Sequence, residues 1–335
     1  MEFTAGGRLE VRITPSDVGK RVSVRRRAEQ ADGSAEFTDA VGVLTSWTGG
    51  VLLITRRTGE TVRIPESSLV AGKVVPAAPA RRRGTPAASF EELARVSARA
   101  WQPVESEALG DWVLRAASGF TRRANSVLPL GDPGIPLDAA LARVRDWYAE
   151  RGLPAYVQTA TGAEGTQEEL CAGLAERGWE REVSAELRVG GLAPIGDLDA
   201  DVERVRLGRS VGEPWLRRYQ RFGVPGPHVL KVLGDGPSVW FATIPGTSDV
   251  PAAIGRCVVD GRWAGFMAVE IDPAHRRQGL ATAVMAALAR RALDEGASAA
   301  WLQVESDNEG ARTLYEGMGF AVHHLYHHFR YSRSS

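Results

Sequence analysis

Cysteine is nearly missing from these 335 residues: Cys171 and Cys257 stand far apart without metal-type spacing, and one such pair defines neither a disulfide framework nor a zinc site. A reducing cytoplasm is the compartment this fits. Lysine is rarer than arginine, with only Lys20, Lys73 and Lys231, a skew that with the alanine richness is read as genome base composition rather than function. Net charge is absent too, since 41 basic side chains meet 41 acidic ones. Nothing therefore draws the whole chain toward nucleic acid or an anionic membrane. No apolar run approaches the length needed to cross a bilayer, and Met1-Glu2-Phe3-Thr4-Ala5-Gly6-Gly7 lacks the charged-then-apolar order of a secretory leader. With 44% hydrophobic and 24% charged residues, the chain reads as a soluble globular protein with room for two or three domains.

Residues 76–88, Pro76-Ala77-Ala78-Pro79-Ala80 through Arg81-Arg82-Arg83 and Gly84-Thr85-Pro86, have no periodic apolar face and read as a linker. Before it, residues 21–27, 40–47, 51–57 and 60–64 are short strand-like runs separated by Asp32-Gly33, Gly49-Gly50 and Thr58-Gly59, which supply turn chemistry. Such spacing predicts a small β-barrel over residues 1–75, similar to an SH3-like domain. Arg25, Arg26, Arg27, Arg56 and Arg57 could face a protein partner or nucleic acid, but a solvated face is the preferred reading because the chain has no basic excess.

Near the other end, the apolar strand Phe266-Met267-Ala268-Val269-Glu270-Ile271 precedes Arg276-Arg277-Gln278-Gly279-Leu280-Ala281, which opens a helix running to about Asp294. That order makes a diphosphate cradle. Gly279 lets backbone approach a ligand, and the first amides of a helix have no internal partners and meet the positive end of its dipole. Downstream, Val304-Glu305-Ser306-Asp307-Asn308 leads into a helix with Ala311, Leu314 and Tyr315 that ends at Gly317-Met318-Gly319-Phe320. Together the two stretches resemble the GNAT N-acetyltransferase superfamily. The resemblance implies an α/β fold, a mixed sheet with flanking helices, and acetyl-CoA as cosubstrate.

The middle third echoes the last. Val127-Leu128-Pro129-Leu130, Asp132-Pro133, a helix over 136–152, the strand-like 155–159, another helix and Gly178-Trp179 recur in order as far as Gly319-Phe320. Pro133 to Pro273 is 140 residues, Gly152 to Gly296 is 144, and Gly178 to Gly319 is 141. Three similar offsets suggest a duplicated unit, hence a degenerate GNAT-like domain over 89–198 and a catalytic one over 199–335. In the first copy Pro136-Leu137-Asp138-Ala139 stands at the cradle position: proline removes a donor, alanine adds a Cβ, and Asp138 sets a carboxylate near the phosphates. The first copy is expected to hold no cofactor.

Acetyl transfer needs a neutral amine to attack a thioester and a donor to protonate the departing thiolate. Tyr315 suits the second role, because an unperturbed phenol has a pKa of about 10 against about 8.5 for a thiol. The resemblance places this tyrosine beside the thiol. Some family members place a base near Gln303, and an amide cannot serve. Glu305 would share a face with Gln303 on a regular strand, and Glu270 sits near the end of the preceding strand. Either could act through water, each also reads as a solvated carboxylate, and a water chain could replace both. The resemblance further implies that backbone of Val269 and Ile271 binds the pantetheine arm like an added strand. Arg276, Arg277, Gln278, Gly279, Leu280, Ala281 and Thr282 would surround the pyrophosphate, and Asn308 would touch the cofactor. His323, His324, His327 and His328 invite a metal, but neighbours on a strand face opposite sides and acetyl transfer needs none. A substrate-side or base role stays open to one of them. The function is thus an N-acetyltransferase acting on a primary amine of a protein or small molecule. The alternative is an acyl-CoA-binding regulator with little catalysis.

Overall fold

The computed structural model describes residues 10–29, 35–56, 60–75, 85–219 and 226–332. The expected linker as far as residue 84, the turns at Asp32-Gly33 and Thr58-Gly59, and Arg57 lie outside them. The chain divides into two compact units, Met1–Ala80 with Arg291–Ala297, and Arg81–Arg290 with Ser298–Ser335.

In the first unit β1 (Arg21–Glu29), β2 (Ala35–Thr48), β3 (Val51–Thr55), β4 (Thr61–Pro65) and β5 (Leu69–Val74) form an antiparallel sheet ordered β4-β3-β2-β1-β5. Val22, Val24, Leu52 and Ile54 alternate inward, with Leu44 and Ile64 completing the core. Gly49 and Gly50 have φ of 60° and 73°, which matches the two-residue hairpin between Thr48 and Val51. Arg25 makes a two-point ion pair with Asp39 at 2.7 and 2.8 Å, and Arg56 pairs with Glu60 at 3.0 Å.

The second unit begins with α1 (Phe90–Arg99), the hairpin β6 (Glu105–Leu109) and β7 (Trp112–Ala116), then β8 (Leu128–Pro129), α2 (Leu137–Ala149), β9 (Tyr156–Thr161), α3 (Glu168–Glu176) and β10 (Trp179–Gly191). Short elements follow: α4 (Leu192–Gly196), β11 (Arg206–Gly208), α5 (Glu213–Arg218) and α6 (Pro227–Gly234). The chain ends with β12 (Val239–Ile244), β13 (Ala253–Asp260), β14 (Trp263–Ile271), α7 (Leu280–Asp294), β15 (Ala299–Glu305), α8 (Glu309–Gly317) and β16 (Ala321–Tyr331). The run β8-α2-β9-α3-β10 repeats as β14-α7-β15-α8-β16, and after the leading strand the starts differ by 143, 143, 141 and 142 residues. In both copies the strand before the first helix meets the next strand in parallel: Trp263–Phe266 pair with Ala299–Leu302, and Val127 bridges Val157. The chain is a tandem pair.

Its two copies exchange their last strands. The sheet is ordered β11-β12-β13-β14-β15-β10-β16-β9, so β10 lies between β15 and β16, antiparallel to both, while β16 joins β10 to β9. The boundary expected at residues 198 and 199 falls inside this single unit. Leu187 and Val189 of β10 are buried in one core with Trp263 and Trp301 of the second copy. Arg256, fully buried, donates to the carbonyls of Leu233 at 2.7 Å, Ala100 at 2.8 Å and Asp235 at 2.9 Å, so the C-termini of α1 and α6 converge on one guanidinium. Burial lowers its pKa to about 10.

A fragment of residues 199–335 lacks β10 and leaves facing edges of β15 and β16 unpaired. It is expected to unfold without a cooperative transition in urea, followed by circular dichroism. Residues 85–332 are expected to show one.

Candidate active site

Strand β14 carries an irregularity that opens the site. Arg256 faces Met267 and Ile254 faces Glu270, so Ala268 and Val269 together oppose Gly255 alone. Ala268 takes a φ of 52°, uncommon for a residue with a Cβ. Gly255 is required opposite because a Cβ there would come within 2.5 Å of the Val284 side chain on α7. Pairing with β15 stops at Phe266 and Leu302, and beyond it the two strands part. The wedge is a cleft of about 110 Å³ whose lining includes Val269, Gln303, Glu305, Asn308 and Tyr315. Trp301 also lines the cleft, and its indole lies where a Cβ on Gly265 would come within 2.3 Å of it.

The turn into α7 follows the wedge. Asp272 accepts the Ala274 N–H at 2.8 Å and pairs with Arg218; that amide first, and then the guanidinium, hold the carboxyl below its ordinary range. Arg277 and Gly279 take φ of 63° and 73° before α7 begins. The Ala283 N–H donates to the Gly279 carbonyl at 3.0 Å, which leaves the amides of Leu280, Ala281 and Thr282 ahead of that bond. A Cβ on Gly279 would meet nothing within 4 Å, so the space beside it is open to a ligand. Arg276, Arg277 and Gln278 are exposed, and neither arginine has an ion-pair partner among the described residues. Leu280 is buried, so only its backbone can serve. In the first copy Pro136 caps α2, and Asp138 in its first turn pairs with Arg177 at 2.7 Å.

Helix α8 forms the other wall. Asn308 accepts the Ala311 N–H at 3.1 Å and so caps the helix, and the Tyr315 ring stands edge-on to Phe320 at 6.0 Å. Glu186 of β10 joins Arg188 at 2.5 Å and Arg312 of α8 at 2.9 Å, so a strand of the first copy fastens the helix that carries Tyr315. Gln303 and Glu305 both line the cleft, as residues two apart on a strand can. Glu270 and Ile271 do not line it; they pair with Ile254 and Ala253 on β13.

Three lining residues escaped the sequence reading: Trp101, Arg123 and Tyr219. Arg123 comes from the first copy. Its Nε donates to Gln303 Oε1 and a terminal nitrogen donates to the Tyr326 hydroxyl, each at 2.6 Å. The loop that delivers it holds Ser118 and Thr121 at φ of 49° and 51°. Buried Asn125 pins that loop by accepting from the Ala117 and Gly119 amides and donating to the Phe120 and Thr121 carbonyls. Backbone strain held by such a network is a mark of a functional site.

A splayed parallel pair, a glycine turn opening a helix beside it and a tyrosine-bearing helix opposite define a GNAT-type N-acetyltransferase. The chain belongs to the family whose model, described as "Probable histone acetyltransferase Rv0428c C-terminal", matches residues 87–331. A second model, "Rv0428c N-terminal Sm-like domain", matches residues 16–73, so the barrel that resembles an SH3-like domain is of the Sm-like kind, also small and all-β. The Mycobacterium tuberculosis protein named probable histone acetyltransferase Rv0428c is 28% identical over 315 residues, covering 94% of each chain. Mycothiol acetyltransferase of Kocuria rhizophila is 27% identical over 332 residues, covering 95% of this chain and 98% of its own. A solved GCN5-related N-acetyltransferase from Kribbella flavida shares the fold with a TM-score of 0.52 at 17% identity, covering 73% of this chain and 96% of its own. No helix among the described residues is long and apolar enough to cross a membrane.

Three histidines of β16 are held by hydrogen bonds. His323 Nε2 donates to the Ala88 carbonyl at 3.0 Å, so its Nδ1 accepts from His324 Nδ1 at 2.9 Å. His327 bonds Ser184 and Thr161, each at 2.8 Å. Among the described residues no three metal-type side chains converge on one point. Burial is the chief cause that lowers both His324 and His327 to a pKa of about 4. In the unfolded chain both titrate near about 6.5. Between those values the unfolded chain binds protons that the folded one refuses, so stability falls as pH drops from 6.5 toward 4. The thermal midpoint is expected to decline through that window, and less steeply in His327→Asn.

Proposed function

We propose that this chain transfers an acetyl group from acetyl-CoA to a primary amine, and that it does so in the cytoplasm. The observation that carries this reading is the open wedge between β14 and β15, which has Tyr315 in its lining, with the glycine turn that opens α7 following β14 in the chain. In this reading the pyrophosphate rests on the backbone of Arg277 to Thr282 with Arg276 and Arg277 as counter-charge. The pantetheine arm lies along the free edge of β14 at Val269 and Ile271, and Asn308 borders it. Two relatives carry acetyltransferase in their names, one for histone and one for mycothiol, which favours catalysis over a binding role alone.

The chemistry is a direct displacement. The amine nitrogen bonds to the thioester carbonyl carbon, the carbon–sulfur bond breaks, and the leaving sulfur takes the Tyr315 phenol proton, which solvent restores. The proton released from the amine passes to Glu305 or, through it, to water. Glu305 is preferred to Glu270 because it lines the cleft. Arg123 fixes the amide of Gln303 on the same strand, at the position where a base would otherwise stand.

Thiol release from acetyl-CoA tests the reading. Tyr315→Phe is expected to lower kcat by about 10²-fold with little change in the KM for acetyl-CoA. Gly279→Val places a side chain in the ligand's space, and calorimetry is expected to show the CoA Kd raised at least about tenfold. Tight CoA binding without turnover on any amine would overturn the transferase and leave a binding protein.

A further inference from the structure

Behind Arg123 the cleft continues. Arg123, Tyr219 and Glu305 border both the cofactor wedge and a second cavity of about 170 Å³, which runs on to Phe120, Tyr326 and His328. That is room for one small group, since an apolar cavity of about 150 Å³ accepts a benzene-sized guest. At its end His328 is 3% exposed, and neither ring nitrogen has a hydrogen-bond partner. A buried imidazole with both nitrogens orphaned is costly unless a ligand completes it.

Two guanidiniums, Arg122 and Arg123, line this cavity, and a third, Arg115, stands outside its lining. Arg115, 3% exposed, spends its donors on Ser126 and Gln158, and Arg123 spends two on Gln303 and Tyr326. Neither has a carboxylate within ion-pair distance among the described residues, whereas Arg122 is balanced by Glu182 at 3.0 Å. Burial, and then the guanidiniums of Arg123, Arg115 and Arg122, hold the His328 pKa well below its ordinary value. Guanidiniums without a counter-charge in a poorly solvated place call for an anion. The carboxylate that does border the cavity, Glu305, lies with Arg123 on the rim shared with the wedge, whereas His328 lines only the second cavity.

We infer that this cavity is the acceptor subsite and that it takes a small aminocarboxylate, with the carboxylate on Arg123 and His328 and the amine at Glu305 facing the thioester. The inference rests on the acetyl-CoA reading of the wedge. The bond changes are those of that reading: nitrogen to carbonyl carbon forms, carbon to sulfur breaks, and the amine proton leaves by way of Glu305. A cavity of this size suits a free small molecule rather than a chain continuing past the amine.

Thiol release from acetyl-CoA is followed with free α-, β- and γ-amino acids, their methyl esters and a lysine-bearing peptide, alongside calorimetry with CoA. At least one free amino acid is expected to turn over with kcat/KM at least about tenfold above its ester. Arg123→Gln is expected to raise the KM for that acid at least about tenfold and to bring its acid-to-ester ratio toward one, and Arg123→Lys to restore part of the loss. If Arg123→Gln does not fold, the acid-to-ester ratio and Arg123→Lys decide. Equal use of acid and ester, or acetylation of the peptide alone, with CoA bound, would overturn the aminocarboxylate and keep the transferase. No CoA binding in the unaltered chain would remove both.

Discussion

The insertion of β10 between β15 and β16 is the constraint on which the rest of the catalytic unit depends. A strand in that place satisfies two rows of backbone groups that would otherwise be open edges. It also contributes Leu187 and Val189 to the shared core and Glu186 to the helix opposite the wedge. The parting of β14 and β15, from which the cleft is made, needs a rigid strand on the far side of β15. β10 is that strand.

The two copies have divided the work. In the second, a turn with left-handed residues at Arg277 and Gly279 opens the helix, with free space beside Gly279. In the first, Pro136 occupies the start of the corresponding helix, and Asp138 is spent on Arg177. What the first copy retains is architecture: a loop pinned by Asn125 that sends Arg123 across to Gln303, and the strand that closes the sheet. Its contribution to the cleft is made by side chains that reach over, Arg123 above all.

Much of this was legible in the chain before any coordinates. The duplication showed because helix starts and Gly-aromatic turns recur at nearly constant spacing, and the turn that opens α7 showed because glycine and arginine punctuate a strand-to-helix junction. Pairing across copies was not legible, since periodicity says which face of a strand is apolar and nothing about which strand lies beside it. The β6–β7 hairpin begins with Glu105-Ser106-Glu107, half exposed and without alternation, and β5 is interrupted by Gly72. Ala268 gives no sign of its left-handed backbone. Arg123 was hidden among many arginines in a loop, and only its bonds to Gln303 and Tyr326 set it apart.

The tie from Glu186 to Arg312 also bears on the history of such a protein. Once a helix of one repeat is moored to a strand of the other, neither repeat can be discarded without loosening its sister. Drift in either half is then limited by the needs of the other, and the two-repeat arrangement becomes permanent.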